Sequence, residues 1–149
     1  MAAPFFNSFL GRLMGDTSII ATAINLATDT IKLSLHTSSY TPNLDDDEFF
    51  DDVDNEISTT GSYTAGIAGG YTLTWTGSTD DTDNEGVGDA VDVSITSATI
   101  TARYAVFRKD TAVASTSPVM WYIDFVSDQS SSNGTFTIAF SSEGVVNIG

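Results

Sequence analysis

Apolar and polar residues alternate with period two along this chain, in short runs broken by turn-forming residues, and nothing else in the sequence restricts the fold as much. Ile31, Leu33 and Leu35 alternate with Lys32, Ser34 and His36, the spacing that sends successive side chains to opposite faces of a strand. One face of that strand is expected to be buried and the other, with His36, to be wet. The period returns in Tyr71, Leu73 and Trp75, in Val91, Val93 and Ile95, and in Ile100, Ala102, Tyr104 and Val106. Val119–Val126 is apolar on both faces except at Asp124, which predicts a central strand covered on each side. Phe136, Ile138 and Phe140, then Val145–Ile148, complete a set of about seven short strands. The expected fold class is all-β: a single β-sandwich or jelly-roll-like domain over 29–149, preceded by an N-terminal arm or short helix over 1–28.

The segments between the strands carry their own signals. Phe5, Phe6, Phe9, Leu10, Leu13 and Met14 fall at spacings of three and four, one face of a short amphipathic helix that Gly15 would end. Such a helix either packs on its own sheet or lays its aromatic side chains on a neighbouring subunit, and Phe5, Phe6, Phe9, Leu10 and Leu13 are the expected interface residues in the second case. Thr17–Ala27 is compatible with helix or extended chain. Asp45–Asp52 reads as a short helical turn anchored by Phe49 and Phe50, and the glycine-rich 61–70 as a surface loop. The polar Ser127–Gly134 reads as a turn.

Composition narrows the function. With 20 acidic and 5 basic side chains the formal charge is -15, which repels nucleic-acid phosphates and anionic membrane surfaces. Neither is an expected partner. The chain has 0 Cys, so disulfides and thiolate metal sites are excluded and synthesis in a reducing cytoplasm fits. The first residues lack a basic stretch, and Asn7, Ser8 and Arg12 interrupt any apolar run, so no export signal is expected.

Catalytic patterns are weak. His36 is the sole histidine; there is no second histidine for a metal pair, and no Gly-x-Ser-x-Gly elbow to hold a nucleophile. Walker and dinucleotide-binding glycine motifs are missing too. Paired carboxylates abound, but a glycosidase needs a cleft that raises one pKa, and solvated acidic runs do not supply it. The chain is therefore expected not to be an enzyme, and no cofactor is expected. The sharpest local pattern is Asp81, Asp83, Glu85, Asp89 and Asp92, with Gly86 sixth, at the ligand spacing of a calcium loop. An Asp in the twelfth place, Gly88 in the eighth and flanking strands favour a solvated hairpin loop instead.

Several stretches resemble a family of small tailed-phage virion structural proteins. They include Asp29–Pro42, Asp47–Phe50, Asn55–Ser58, Gly61–Gly66, Ser97–Val106, Lys109–Thr111, Ser117–Pro118, Tyr122–Phe125 and Asp128–Gly134, in order. The resemblance implies a β-rich decoration or cement protein of the capsid exterior, made in the host cytoplasm. Its partners would be the major capsid protein and sister copies, as a homotrimer. The N-terminal segment, Ile67–Ala68 and Ser78–Ala90 depart from that pattern. The alternatives are a tail-associated structural protein or a virion-displayed carbohydrate- or receptor-binding module using Tyr40, Tyr63, Tyr71 or Trp75 as platforms.

Overall fold

A computed structural model describes residues 4–15, 24–82 and 85–148; most of Thr17–Ala27 and the ligand candidate Asp83 lie outside them. The helix α1 (Asn7–Leu13) is followed by β1 (Ile31–His36), β2 (Tyr71–Thr72), β3 (Trp75–Asp80), β4 (Glu85–Ala90), β5 (Val93–Lys109), β6 (Val119–Ile138) and β7 (Val146–Ile148). They form two antiparallel sheets, ordered β2-β1-β5-β6 and β3-β4-β7. The all-β sandwich with a short N-terminal helix is thus the observed architecture. One core joins the two sheets, with Leu33, Leu35, Ile95, Phe107 and Trp121 from the first meeting Ala90 and Val146 from the second and Val145 just before β7.

The strand inventory differs from the sequence reading in composition. Val93–Ile95 and Ile100–Val106 are not separate strands but belong to β5, with Val91 left outside it, and Val119–Val126 and Phe136–Ile138 belong to β6. Register shifts between Ile95 and Ala98, and between Ala102 and Tyr104, break the alternation along β5; such bulges bend a strand without ending it. The expected turn Ser127–Gly134 lies within β6, where Ser131 faces Ile100 and Ser130 faces Thr101. Its backbone groups are satisfied by β5 while most of its side chains meet solvent, so polarity alone did not mark a reversal. The actual reversal is 110–118, around a 3₁₀ turn at Ala114–Thr116 stapled by Thr111 Oγ1 2.7 Å from Thr116 Oγ1.

Two further expectations are corrected by the packing. β6 is an edge strand rather than a central one, yet its outer edge is closed at Pro118 by a bridge to Phe49 and at Trp121 by a bridge to Phe5. That local cover is why Val119–Trp121 is buried. The supposed wet face of β1 is also covered: Ser34 and His36 are fully buried, because the chain after β1 folds back and seats Tyr40 and Val53 in a second cluster with Phe6, Val106 and Val119. The four-stranded sheet therefore carries apolar layers on both faces at this end.

The acidic stretch Ser78–Ala90, read as a solvated hairpin loop, is a hairpin whose backbone is largely paired, from Trp75 opposite Ala90 to Asp80 opposite Glu85. Gly88 makes room for this hairpin's one large side chain, since a Cβ there would sit 2.1 Å from the Trp75 ring. α1 docks on its own sheet: Phe6 N donates to Met120 O and Tyr122 N to Pro4 O, and Phe6 and Phe9 are fully buried.

This packing separates stability from surface chemistry within one helix. Phe9→Ala is expected to cost about 3–5 kcal/mol, whereas Leu10→Ser and Leu13→Ser should each change stability by less than about 0.5 kcal/mol. Urea denaturation of the three variants checks both halves.

Candidate functional site

The five side chains expected to grip a partner divide by environment. Phe6 and Phe9 are spent on the core, and Phe5 stacks on Phe9 at 5.6 Å and meets the edge of Trp121 at 6.3 Å. Leu10 and Leu13 are 40% and 43% exposed, and Met14 is 88% exposed. Spacings of three and four put these three on one face of α1. Asn7 begins that face, and its amide donates to Asp45 Oδ1 at 2.6 Å, so the apolar strip starts beside the acidic loop 45–52. Arg12 turns away from it, over the Phe49 ring at 5.0 Å.

Leu13 also borders a groove of about 600 Å³ whose apolar walls are Ile24, Leu26, Trp75, Val87 and Val146. The groove runs between Ile24–Ala27 and the β3-β4-β7 sheet. A second, smaller trough is lined by Asp80, Asp81, Glu85 and Glu143; on β3 and β4, Ser78, Asp80, Glu85 and Val87 alternate with Trp75, Gly77 and Gly88, so it belongs to the other face of the hairpin. The apolar helix face and the apolar groove meet at Leu13.

The calcium candidates among the described residues are spread along the hairpin and beyond it. Glu85 and Asp89 lie on the extended β4, about 13 Å apart along a strand rising ~3.4 Å per residue. Asp89 Oδ1 accepts from Ala90 N at 2.8 Å and Asp92 Oδ1 from Phe140 N at 2.9 Å, while Asp81 is exposed in the hairpin turn. Among the described residues no three acidic or histidine side chains gather as a metal site. The sugar-platform candidates are drawn inward: Tyr40 and Tyr63 are buried, and Tyr71 and Trp75 are half-buried against the core.

The interior contains polar chemistry that is sealed. Ser34 Oγ lies 2.8 Å from His36 Nε2, and His36 Nδ1 lies 2.7 Å from the carbonyl of Asp54. A carbonyl can only accept, so Nδ1 carries the proton and the serine hydroxyl donates to Nε2. This is the spacing of a nucleophile and its base, but both side chains are fully buried and the third member is a backbone carbonyl. A substrate has no path to Oγ. Burial, with the nearby positive charge of Arg108, lowers the His36 pKa from 6.5 to about 4, against the raising effect of Asp54.

Arg108 is the residue that sequence reasoning missed. Its side chain is fully buried, its Nη2 donates to the carbonyl of Gly69 at 3.1 Å and reaches those of Ile67 and Gly66, and its guanidinium lies 3.9 Å from the centre of the Phe50 ring. The glycine-rich 61–70 is thus a cap wrapped on a cation rather than a free surface loop. Nearby, Tyr63 donates to Glu56 Oε1 at 2.6 Å and accepts from Leu35 N at 3.0 Å. Burial and then the Glu56 charge push the Tyr63 pKa up, and burial pulls that of Arg108 down. An arginine directly after the apolar run Tyr104–Phe107, together with a glycine loop whose carbonyls need a donor, was the available signal.

The remaining cations are also committed within the chain. Lys32 pairs with Asp110 at 2.7 Å and Lys109 with Asp29 at 2.9 Å, and Arg103 grips both oxygens of Asp124, the second at 3.1 Å. No helix among the described residues is long and apolar enough to cross a membrane. Comparison of the chain with family models, curated proteins and solved structures gave no match.

His36 sets a pH window of its own. Above pH 6.5 it is neutral in both folded and unfolded chains; between 6.5 and about 4 only the unfolded chain takes up the proton, so stability falls with pH by about 1.4 kcal/mol per unit. The whole window amounts to roughly 3 kcal/mol. Asp110 and Asp124, whose pKa values are lowered, act below it, through protonation near and under pH 4. Urea denaturation of wild type at pH 7, 6 and 5 should show the decline, and His36→Gln should flatten it whatever its absolute stability.

Proposed function

We propose that this chain is a structural protein of a tailed-phage virion that decorates or cements the capsid exterior by protein–protein adhesion, without bond-making chemistry. What supports the reading above all is the division of labour in the sandwich. The segments that carry the resemblance lie mostly on the scaffold: Asp29–Pro42 on β1, Ser97–Val106 on β5, Tyr122–Phe125 and Asp128–Gly134 on β6, and Gly61–Gly66 on the cap over Arg108. The segments that depart from it, the N-terminal helix and Ser78–Ala90, border the exposed apolar surface. A frame that carries the resemblance, with a sticky face where the chain departs from it, suits an adhesive shell component.

The reactive-looking groups favour the same reading, because the Ser34–His36 pair is closed to solvent and the aromatic platform candidates are packed inward. The partners on this reading are the major capsid protein and sister copies arranged as a trimer at a threefold site of the shell. Uniform negative charge would keep such a protein soluble before assembly.

Mass spectrometry of gradient-purified particles from the phage that encodes this chain tests the proposal. The protein is expected in intact virions at a copy number comparable with that of the shell subunits; its absence from particles would overturn the assignment. Light scattering of the free protein is expected to give three times the chain mass, and a monomer at all concentrations would remove the preassembled trimer.

A further inference from the structure

We infer that Asn133 is a site of spontaneous modification, where the side-chain amide closes on the backbone nitrogen of Gly134 and is converted to aspartate and isoaspartate. The inference is independent of the virion reading.

The sequence singles the position out. Asn133 is the only asparagine followed by glycine; the others precede Ser8, Leu26, Leu44, Glu56, Glu85 and Ile148. A side chain on the following residue crowds the attacking nitrogen, and glycine has none.

The fold then leaves this asparagine unhindered. In the pairing of β5 with β6, Ser131 stands opposite Ile100 and Gly134 opposite Ala98, so Ser132 and Asn133 have no strand partner. Asn133 sits in this bulge at φ 46°, in the left-handed region that asparagine tolerates better than most residues, and it is exposed. Its backbone N–H donates to Thr99 Oγ1 at 3.0 Å, but its side-chain amide makes no hydrogen bond among the described residues. Amides elsewhere are tethered: Asn7 donates to Asp45, Asn43 to Asp46, and Asn55 to Asp54 and the carbonyl of Ser39. Those contacts must break before ring closure, whereas Asn133 needs only to rotate its own bonds.

The chemistry requires nothing but water. The Gly134 N–H gives its proton to solvent base and the nitrogen attacks Asn133 Cγ; the N–Cγ bond forms, the Cγ–Nδ2 bond breaks and Nδ2 leaves as ammonia. Proximity within one chain makes such an attack possible without a catalyst. Water then opens the succinimide ring, at Cγ to give aspartate or at the backbone carbonyl to give isoaspartate. Either product adds a carboxylate to a stretch, 126–139, whose only charged side chain is Asp128. β6 is an edge strand, and charge placed on an edge opposes pairing with another chain. The extra main-chain carbon of isoaspartate falls in the unpaired bulge, where added length bends a strand without ending it.

The test incubates the folded, full-length protein in mildly alkaline and mildly acidic buffers. Peptide mapping by mass spectrometry and isoaspartate-specific methyl transfer follow the products. Conversion is expected at Asn133 ahead of Asn7, Asn43 and Asn55, with isoaspartate among the products and a faster rate in the alkaline buffer. Gly134→Ala is expected to slow it by about tenfold; the added Cβ would meet nothing nearer than the carbonyl oxygen of Ser132 at 3.6 Å, so the variant should keep the wild-type urea midpoint. The chain unfolded in urea shows that the assay detects the reaction. Conversion in urea with an intact Asn133 in the folded protein would overturn the inference, because the bulge would then shield the site. So would equal conversion of the tethered asparagines, or a rate indifferent to Gly134→Ala.

Discussion

Trp121 is the contact on which the rest of the arrangement depends. Its ring meets Phe107 of β5 at 5.1 Å, Trp75 of β3 at 5.6 Å and Phe9 of α1 at 5.7 Å, so one fully buried side chain ties the helix and both sheets together. Aromatic pairs of this kind add about 0.5–1.5 kcal/mol each beyond the area they bury. The bridge between Phe5 and Trp121 closes the strand edge at the same place, which blunts a site where an open edge would invite pairing with another chain. The N-terminal segment is in this way both the cap of the core and the bearer of the exposed apolar strip.

A second constraint is the scarcity of positive charge. Each of the 5 basic side chains is consumed by an intramolecular contact, and the most costly of them, Arg108, is held by carbonyls and an aromatic face rather than by a direct ion pair. A buried cation is tolerated only when its donors and its charge are answered locally, and the 61–70 cap answers part of both. Gly61 shows how closely that cap is fitted to the sheet, since a Cβ there would lie 2.2 Å from the carbonyl of Thr96. The outer surface is left nearly one-signed, which bears on every partner the protein can meet.

How much of this was legible depended on whether the signal was local. The strand at Ile31–His36, the helix near Phe9 ended by Gly15 and the turn at Phe50 follow from side-chain period and from backbone preference, and they lie where expected. The continuity of β5 and β6 did not follow, because register shifts around Ser97 and between Ala102 and Tyr104 break the alternation and polar residues such as Ser130 are satisfied by a neighbour far away in sequence. The candidate grip was half legible: spacing found Leu10 and Leu13, but it could not separate them from Phe6 and Phe9, which share the helix and face the core.

By itself, then, the sequence determined that the chain builds sheets, that its surface is acidic and that it lacks thiol chemistry, since these depend on composition and on neighbours within a few residues. Only the tertiary structure decided that Ser34 and His36 are dry, that Arg108 is the centre of a cap and that an apolar groove opens beside Leu13. Each of those facts depends on which remote segment covers a given side chain, and that is settled by long-range packing rather than by the local pattern of residues.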